Sequence, residues 1–431
     1  MNHPSNASIA AGIALLGACL STGIARANDI FTVDTTLDLI DANSADGACR
    51  TSTNTCSLRA AIMQANHATD AGITVINLPA GTYAITRDPN GGVDEEEGDL
   101  NINTPISAGQ SVVLIGAGAA ATIIDGNYLE GVIRISSGRT ASIDGVTIRH
   151  GEDGGAFVNL GTATMSNCVV EASHATISGG GVTNMGAMEI LRTTIRENVA
   201  DYFGGGLIVG GPTVVRDTTI HHNGADVGGG IFVAASSDHL YIENSTISWN
   251  YATTDGGGIY NQASAFAYNI SVIDNDADHD RDENGGVGGG LFADPFSRFV
   301  LVNALVARNT ERDAPIADDC YGAFEAYGWN LFSDLSGCDI PNFANIGLVL
   351  PESIGPLQDN GGPTLTHALL AGSAAIDSTI DTLGCVDTSG APLASDQRDA
   401  ARIAGDRCDV GAFEYGAVAP ILDSIFTDGF E

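Results

Sequence analysis

Five short segments of this chain align on one another: SIDGVTIRHG, TMSNCVVEAS, EILRTTIREN, TVVRDTTIHHN and YIENSTISWN. Each runs into a glycine cluster, at Gly154-Gly155, Gly179 to Gly181, Gly204 to Gly206, Gly228 to Gly230 and Gly256 to Gly258. A sixth triplet, Gly288 to Gly290, follows a longer insertion. The period is mostly 24 to 28 residues, too short for a helical-hairpin repeat and too long for a nonapeptide calcium roll. The aspartate that such a roll needs after its third glycine is also missing.

Three aliphatic columns emerge from the alignment. The first is Ile143, Met165, Ile190, Val215 and Ile242; the second is Ile148, Val170, Ile195, Ile220 and Ile247. The third follows the glycines: Val182, Leu207, Ile231, Ile259 and Leu291. Between the first two runs a column of smaller residues, Val146, Cys168, Thr193, Thr218 and Ser245. Local alternation makes each segment a strand with one face inward. Strands this short bury a core only when coiled into rungs and stacked at about 4.8 Å. The pattern therefore predicts an all-β chain built as a right-handed parallel β-helix.

The turns agree. Asn198, Asn223, Asn250, Asn275 and Asn309 form a row three residues past the second column. Asparagine tolerates left-handed backbone, and stacked amides hydrogen-bond to one another. These residues read as structural. Cys168 falls in the inward small column and reads as a buried, unreactive thiol.

The flanks depart from the repeat. Residues 1–27 read as an export signal: Ala7 to Ile24 is apolar and uncharged, and Ala25-Arg26-Ala27 gives a small-x-small cleavage site. A rival reading takes Leu16-Gly17-Ala18-Cys19 as a lipoprotein box with Cys19 lipidated. Residues 28–110 are expected to close the N-terminal end, with Ser57 capping a helix over Leu58 to His67. Residues 111–319 hold the repeats, 320–416 an irregular C-terminal cap with disulfides, and 417–431 a linker and tail. In an exported chain, Cys49/Cys56, Cys320/Cys338 and Cys385/Cys408 read as three local disulfides. Buried free thiols are the alternative; zinc is disfavoured because no CxxC or close histidine accompanies them.

Charge narrows the partners. All 17 basic residues are arginine, set against 53 acidic ones for a formal net charge of -36. Such a field repels phosphate backbones and anionic lipid headgroups. Nucleic acid is therefore excluded as a partner, and a lysine base or Schiff base has no residue to use. The apolar run before Ala25 is too short, and too rich in Ala and Gly, to favour a membrane span, so no transmembrane span is expected in the mature chain.

Two stretches resemble known families. FTVDTTLDLIDANSADGACRTSTNTCSLRAAIMQAN, with LPAGTY after it, resembles the N-terminal domain of bacterial surface proteins named for a CSLREA motif. Here the motif reads CSLRAA, with Ala60 in place of the family's usual glutamate. GPLQDNGGPTLTHALLAGSAAIDS and DQRDAARIAGDRCDVGAFE resemble the domain called choice-of-anchor Q, and the repeats resemble those of polymorphic outer-membrane proteins. The resemblance implies a β-helix of the pectin-lyase type, exported and held at the outer cell surface. It attaches no defined activity. The tail IFTDGFE resembles an ending shared by other exported proteins, as a sorting or anchoring signal.

Candidate chemistry is sparse. A polygalacturonase-like hydrolase needs paired aspartates before His-Gly; here His150-Gly151 precedes Asp318-Asp319, and lysine is absent. A lyase would need calcium-binding carboxylates beside an arginine base. Arg192, Arg216, Asp217 and Glu243 lie outward on adjacent repeats, where cross-rung ion pairs explain them equally well. Asp276, Asp278, Asp280 and Asp282 alternate in the inserted loop DADHDRDENGG. They are the candidate calcium ligands, although Arg281 and Val287 break the EF-hand pattern and a solvated loop is the commoner outcome. His221-His222 and the acidic run Asp94 to Asp99 read as surface.

The leading expectation is a monomeric, secreted or surface-held scaffold, non-catalytic and needing no cofactor. It would present an extended face to polysaccharide or another surface, as an adhesin does. The alternative is a calcium-assisted polysaccharide lyase. An autotransporter passenger is disfavoured, because the chain after the repeats reads as a disulfide-bearing cap, a linker and a short tail rather than as eight membrane strands.

Overall fold

A computed structural model describes residues 27–69, 72–89, 95–103, 109–237, 239–280, 285–311, 316–341, 345–379 and 386–420. Residues 1–26 of the predicted signal, Asp282, Cys385 and the tail lie outside them. The chain forms two compact units: residues up to Leu191 with Arg196–Val214, and Arg192–Ile195 with the chain from Val215 onward.

Each unit is built from four ladders of strands, the third of them visited only by the rungs from His174–Ala175 to Ile316–Ala317. In the first unit, ladder I runs Ala27–Thr32, Ile73–Leu78, Ser111–Gly116, Thr140–Asp144, Thr162–Ser166 and Ala187–Leu191. Ladder II contains Gly81–Ala84, Thr122–Asp125, Thr147–Arg149 and Val169–Glu171. Ladder III pairs His174–Ala175 with Val199–Ala200. Ladder IV runs from Leu100–Ile102 to Leu207–Val209. In the second unit, ladder I runs from Leu240–Glu243 to Glu325–Tyr327 and ladder II from Thr219–His221 to Ile346–Leu348. Ladder III begins at Gly224–Ala225, and ladder IV runs from Ile231–Val233 to Cys338–Asp339. The rungs thus continue past Asp319. Cys320–Ala323, Glu325–Tyr327 and Asn330–Phe332 add one that lacks the glycine triplet by which the repeat is recognised.

Every member of the three aliphatic columns and of the small-residue column is at most 2% exposed. The hydroxyls of the small column cap strand ends: Thr218 donates to Arg216 O at 2.8 Å and Ser245 to Glu243 O at 2.7 Å. Cys168 is buried, and burial pushes its thiol up to about 12, so it carries no thiolate at neutral pH.

The asparagine row is a buried amide ladder. In the second unit Asn223, Asn250 and Asn275 each donate Nδ2 to Oδ1 of the next asparagine at 2.9 Å, ending on Asn309. Asn309 donates to Asp319 Oδ1 at 2.9 Å. A carboxylate only accepts, so Asp319 terminates the row. Its other oxygen takes Ser333 N–H, Ser333 O–H and Asp334 N–H. The last glycine of each triplet packs on this ladder: a Cβ at Gly230, Gly258 or Gly290 would stand 2.8–3.2 Å from an asparagine amide.

The helix α1, Leu58–His67, is capped by Ser57, whose Oγ accepts Ala60 N–H at 3.1 Å. It is buried well beyond its apolar side. Arg59 binds Asp38 at 2.6 Å and Gly98 O at 2.8 Å, and Arg139 caps Ala65 O at 2.8 Å. Arg59 of the CSLRAA stretch is therefore a tether between the helix and the loops around it. Disulfides join Cys49 to Cys56 and Cys320 to Cys338; Cys408 is also disulfide-bonded.

In the second unit the C-terminal chain lies along the outer face of ladder II. Outward positions of this ladder are charged in the first unit (Arg149, Glu171); in the second they are polar on the early rungs (Thr219, Thr246, Ser248) and apolar on the later ones (Ile273, Leu305, Ala307). Those residues form a second core with Val349, Ile354, Leu369, Val410 and Phe413. Polar bonds fix the cover: Gln397 exchanges hydrogen bonds with Thr219 and Thr246, and His367 Nε2 meets Ser248 Oγ at 2.9 Å. Within the cover, Asp396 binds Arg398 at 2.6 Å, with the guanidinium 3.6 Å above the Phe413 ring.

Asn275→Ala strands the groups that the amide served, at about 1–3 kcal/mol each; urea unfolding should show a loss of that order. His367 is held down to about 4 by burial, against about 6.5 when unfolded. Its contribution is whole above pH 6.5 and lost as pH falls towards 4. The stability difference between the wild type and His367→Asn should therefore narrow across that window.

Candidate functional site

Of the sequence candidates, Arg192, Arg216, Asp217 and Glu243 are brought together, at the turn from ladder I to ladder II in the second unit. That turn is made by one left-handed residue per rung: Arg192 (φ +47°), Asp217 (+50°), Asn244 (+45°), Asn269 (+53°) and Asn303 (+60°). Asparagine and aspartate tolerate this geometry, whereas arginine is strained in it. The signal lies one position before the small-residue column, where no aliphatic period marks it.

Arg216 Nε meets Glu243 Oε1 at 2.6 Å across one rung, as the cross-rung reading expected. Arg192 instead reaches into the cover, with Nη2 3.0 Å from Asp399 Oδ1. Glu243 Oε2 accepts Thr388 N–H at 3.1 Å, Asp217 O accepts the Thr364 hydroxyl at 3.0 Å, and Asn244 Nδ2 donates to Ser395 O at 2.9 Å. The cluster is thus fastened to the cover on several sides. Burial pushes the Asp217 carboxyl up to about 7; Arg192 opposes the shift, and Asp399 and Glu243 add to it.

The other candidates separate. Asp276 on ladder III is 2.9 Å from His279 Nδ1 and accepts the Thr310 hydroxyl at 2.8 Å, Asp278 is fully buried, and Asp280 is exposed. Among the described residues no group of three or more His, Cys, Asp or Glu is arranged to hold a metal ion. His150 is 3.0 Å from Asp125 in the first unit, whereas Asp318 and Asp319 bind backbone and ladder groups in the second. Burial pushes both of these carboxyls up to about 6.

A family model for a right handed beta helix region matches residues 131–296. The crystal structure of pectate lyase Pel9A is similar to this chain with a TM-score of 0.50 at 14% identity, covering 90% of this chain and 97% of that one. Pectin methylesterase from carrot aligns with a TM-score of 0.36 at 11% identity, over 77% and 90% of the two chains. No curated protein matches. The strand ladders, the family model and the pectate lyase likeness set the class: an all-β, right-handed parallel β-helix with a pectate-lyase-like fold and one α-helix among the described residues. At such identity the likeness concerns the fold alone.

A carboxyl raised from about 4 to about 7 keeps its proton across that interval in the folded state. Its stabilisation is full below pH 4 and lost by pH 7 and above. Asp217→Asn, which suits the left-handed turn, should match the wild type in melting temperature at pH 4 and exceed it at pH 8.

Proposed function

We propose that this chain is an exported or surface-held β-helix scaffold, non-catalytic, that presents an extended face to polysaccharide in the manner of an adhesin. The observation that carries the reading is the state of the arginine–carboxylate cluster. Arg192 and Arg216 already hold Asp399 and Glu243, and residues of the C-terminal cover are hydrogen-bonded over them. A lyase would need such groups open to substrate. Cross-rung pairs elsewhere, Arg149 with Asp125, Arg196 with Glu171 and Arg298 with Glu325, likewise tie arginines to carboxylates on the neighbouring rung.

Export is supported by the disulfides, which persist in oxidising compartments. It is supported also by the signal-like first 27 residues and by the resemblance of the flanks to CSLREA and choice-of-anchor Q surface proteins, which adds an outer-membrane setting. No helix among the described residues is long and apolar enough to cross a membrane.

A second reading, a calcium-assisted polysaccharide lyase, is favoured by Asp217. A carboxyl that changes protonation near pH 7 beside Arg192 suits proton transfer, with the Asp276 to Asp282 loop as the candidate calcium ligands. A glycan array run beside a turnover screen on acidic polysaccharides, with calcium and with chelator, separates the two. Binding without turnover is expected; unsaturated products growing with time, and lost with chelator, would establish the lyase instead.

A further inference from the structure

Each unit holds aromatic rings at its surface in a backbone conformation that bulky residues avoid. In the second unit Trp249 occupies the turn between ladders II and III with φ +56° and is 50% exposed. His222, in register on the preceding rung and also at +56°, stacks on the indole with centroids 6.0 Å apart and 15° between planes. Two residues past the tryptophan, the Tyr251 ring lies over Gly224, where any Cβ would strike it, and meets the His279 ring at a tilt of 35° with centroids 4.6 Å apart. Carboxylates edge this surface. Asp276 binds His279, and Asp274 is gripped by Arg308 at 2.7 Å, which is itself fixed to Ile354 O at 2.8 Å. The first unit repeats the device: Tyr128, 57% exposed with φ +56°, stacks on His150 at 4.5 Å, and Asp125 holds the imidazole.

Packing does not require these rings. The same left-handed turn is made by Ala172, Glu197 and Asp274 on other rungs. The Phe232–Tyr260–Phe292 stack on ladder IV shows the structural use of aromatics: its rings face one another, and both phenylalanines are nearly fully buried. Trp249 and Tyr128 instead combine an unfavourable backbone with exposure, which marks a binding contact rather than a core one.

We propose that the Trp249–His222–Tyr251 surface, and the Tyr128–His150 pair of the first unit, are platforms for a neutral sugar chain. The C–H face of a pyranose carries slight positive charge and fits the negative face of an indole or phenol ring. The neighbouring carboxylates keep lone pairs beyond those that Arg308, His279 and Thr310 use, and these accept hydroxyl donors; the net charge of -36 disfavours polyanionic glycans. The inference rests on the polysaccharide-scaffold reading and assigns its binding surface.

The full chain is titrated with cello-, xylo- and galacto-oligosaccharides, and with oligogalacturonate and chitosan oligomers as charged controls. Tryptophan emission and calorimetry are recorded. A neutral series should bind and perturb the emission, because the second tryptophan, Trp329, packs against the core. Trp249→Asn should weaken binding by about tenfold or more at an unchanged or higher melting temperature, since asparagine suits the turn. Trp249→Phe should retain most of the affinity. If Trp249→Asn melts early, Trp249→Gly replaces it. Tyr128→Asn tests the first unit in the same way. Undiminished binding in the Trp249 and Tyr128 variants would overturn the platforms and leave the scaffold reading standing. Failure of the wild type to bind any glycan would remove both. Binding confined to a charged series would overturn the neutral-chain assignment.

Discussion

Parallel strands that hydrogen-bond at about 4.8 Å place each side chain directly over its counterpart on the next rung, and most of this molecule follows from that constraint. A column must be something that tolerates its own company. Aliphatics do, and fill the interior. Asparagine does, because one amide donates and accepts along the axis. Aspartate does not, and it therefore stands at the end of the amide row, where Asp319 gathers donors and gives none. Charges must alternate: Asp125, Arg149 and Glu171 follow one another in register on ladder II of the first unit.

The same constraint explains why the one gathering of arginine and carboxylate is a poor place for substrate. Column neighbours of opposite charge satisfy each other first, as Arg216 and Glu243 do. In the second unit the outward side of ladder II becomes apolar and takes the C-terminal chain against it. That chain brings Asp399 to Arg192 and the Thr388 amide to Glu243. What remains open at the turns are residues that stacking does not need, Trp249 and Tyr128 among them.

The repeat was readable because each rung presents the same environment at the same phase, so burial writes a period into the chain. Cys168 could be placed inside from its column alone, and the helix at Leu58–His67 from its cap and apolar spacing. The cross-rung partner of Arg216 was likewise one repeat away. Arg192 was not readable in this way: its partner lies 207 residues on, in a segment without the repeat. The calcium candidates illustrate a different limit. Alternating aspartates imply a shared face in a strand, but Asp276 lies on a short strand and Asp278 in a left-handed turn, so one is half-buried and the other wholly buried.

By itself, then, the order of residues determined the β-helix, its inward columns, its asparagine ladder and two of its disulfides. Those features depend on neighbours at a fixed offset, and stacking converts a fixed offset into contact. Only the tertiary structure decided what lies against the outside of the rungs. It put a cover on ladder II, closed the arginine cluster with Asp399, ended the amide ladder on Asp319, and left Trp249 and Tyr128 facing solvent. Such contacts join segments with no common period, and only the path of the folded chain brings them together.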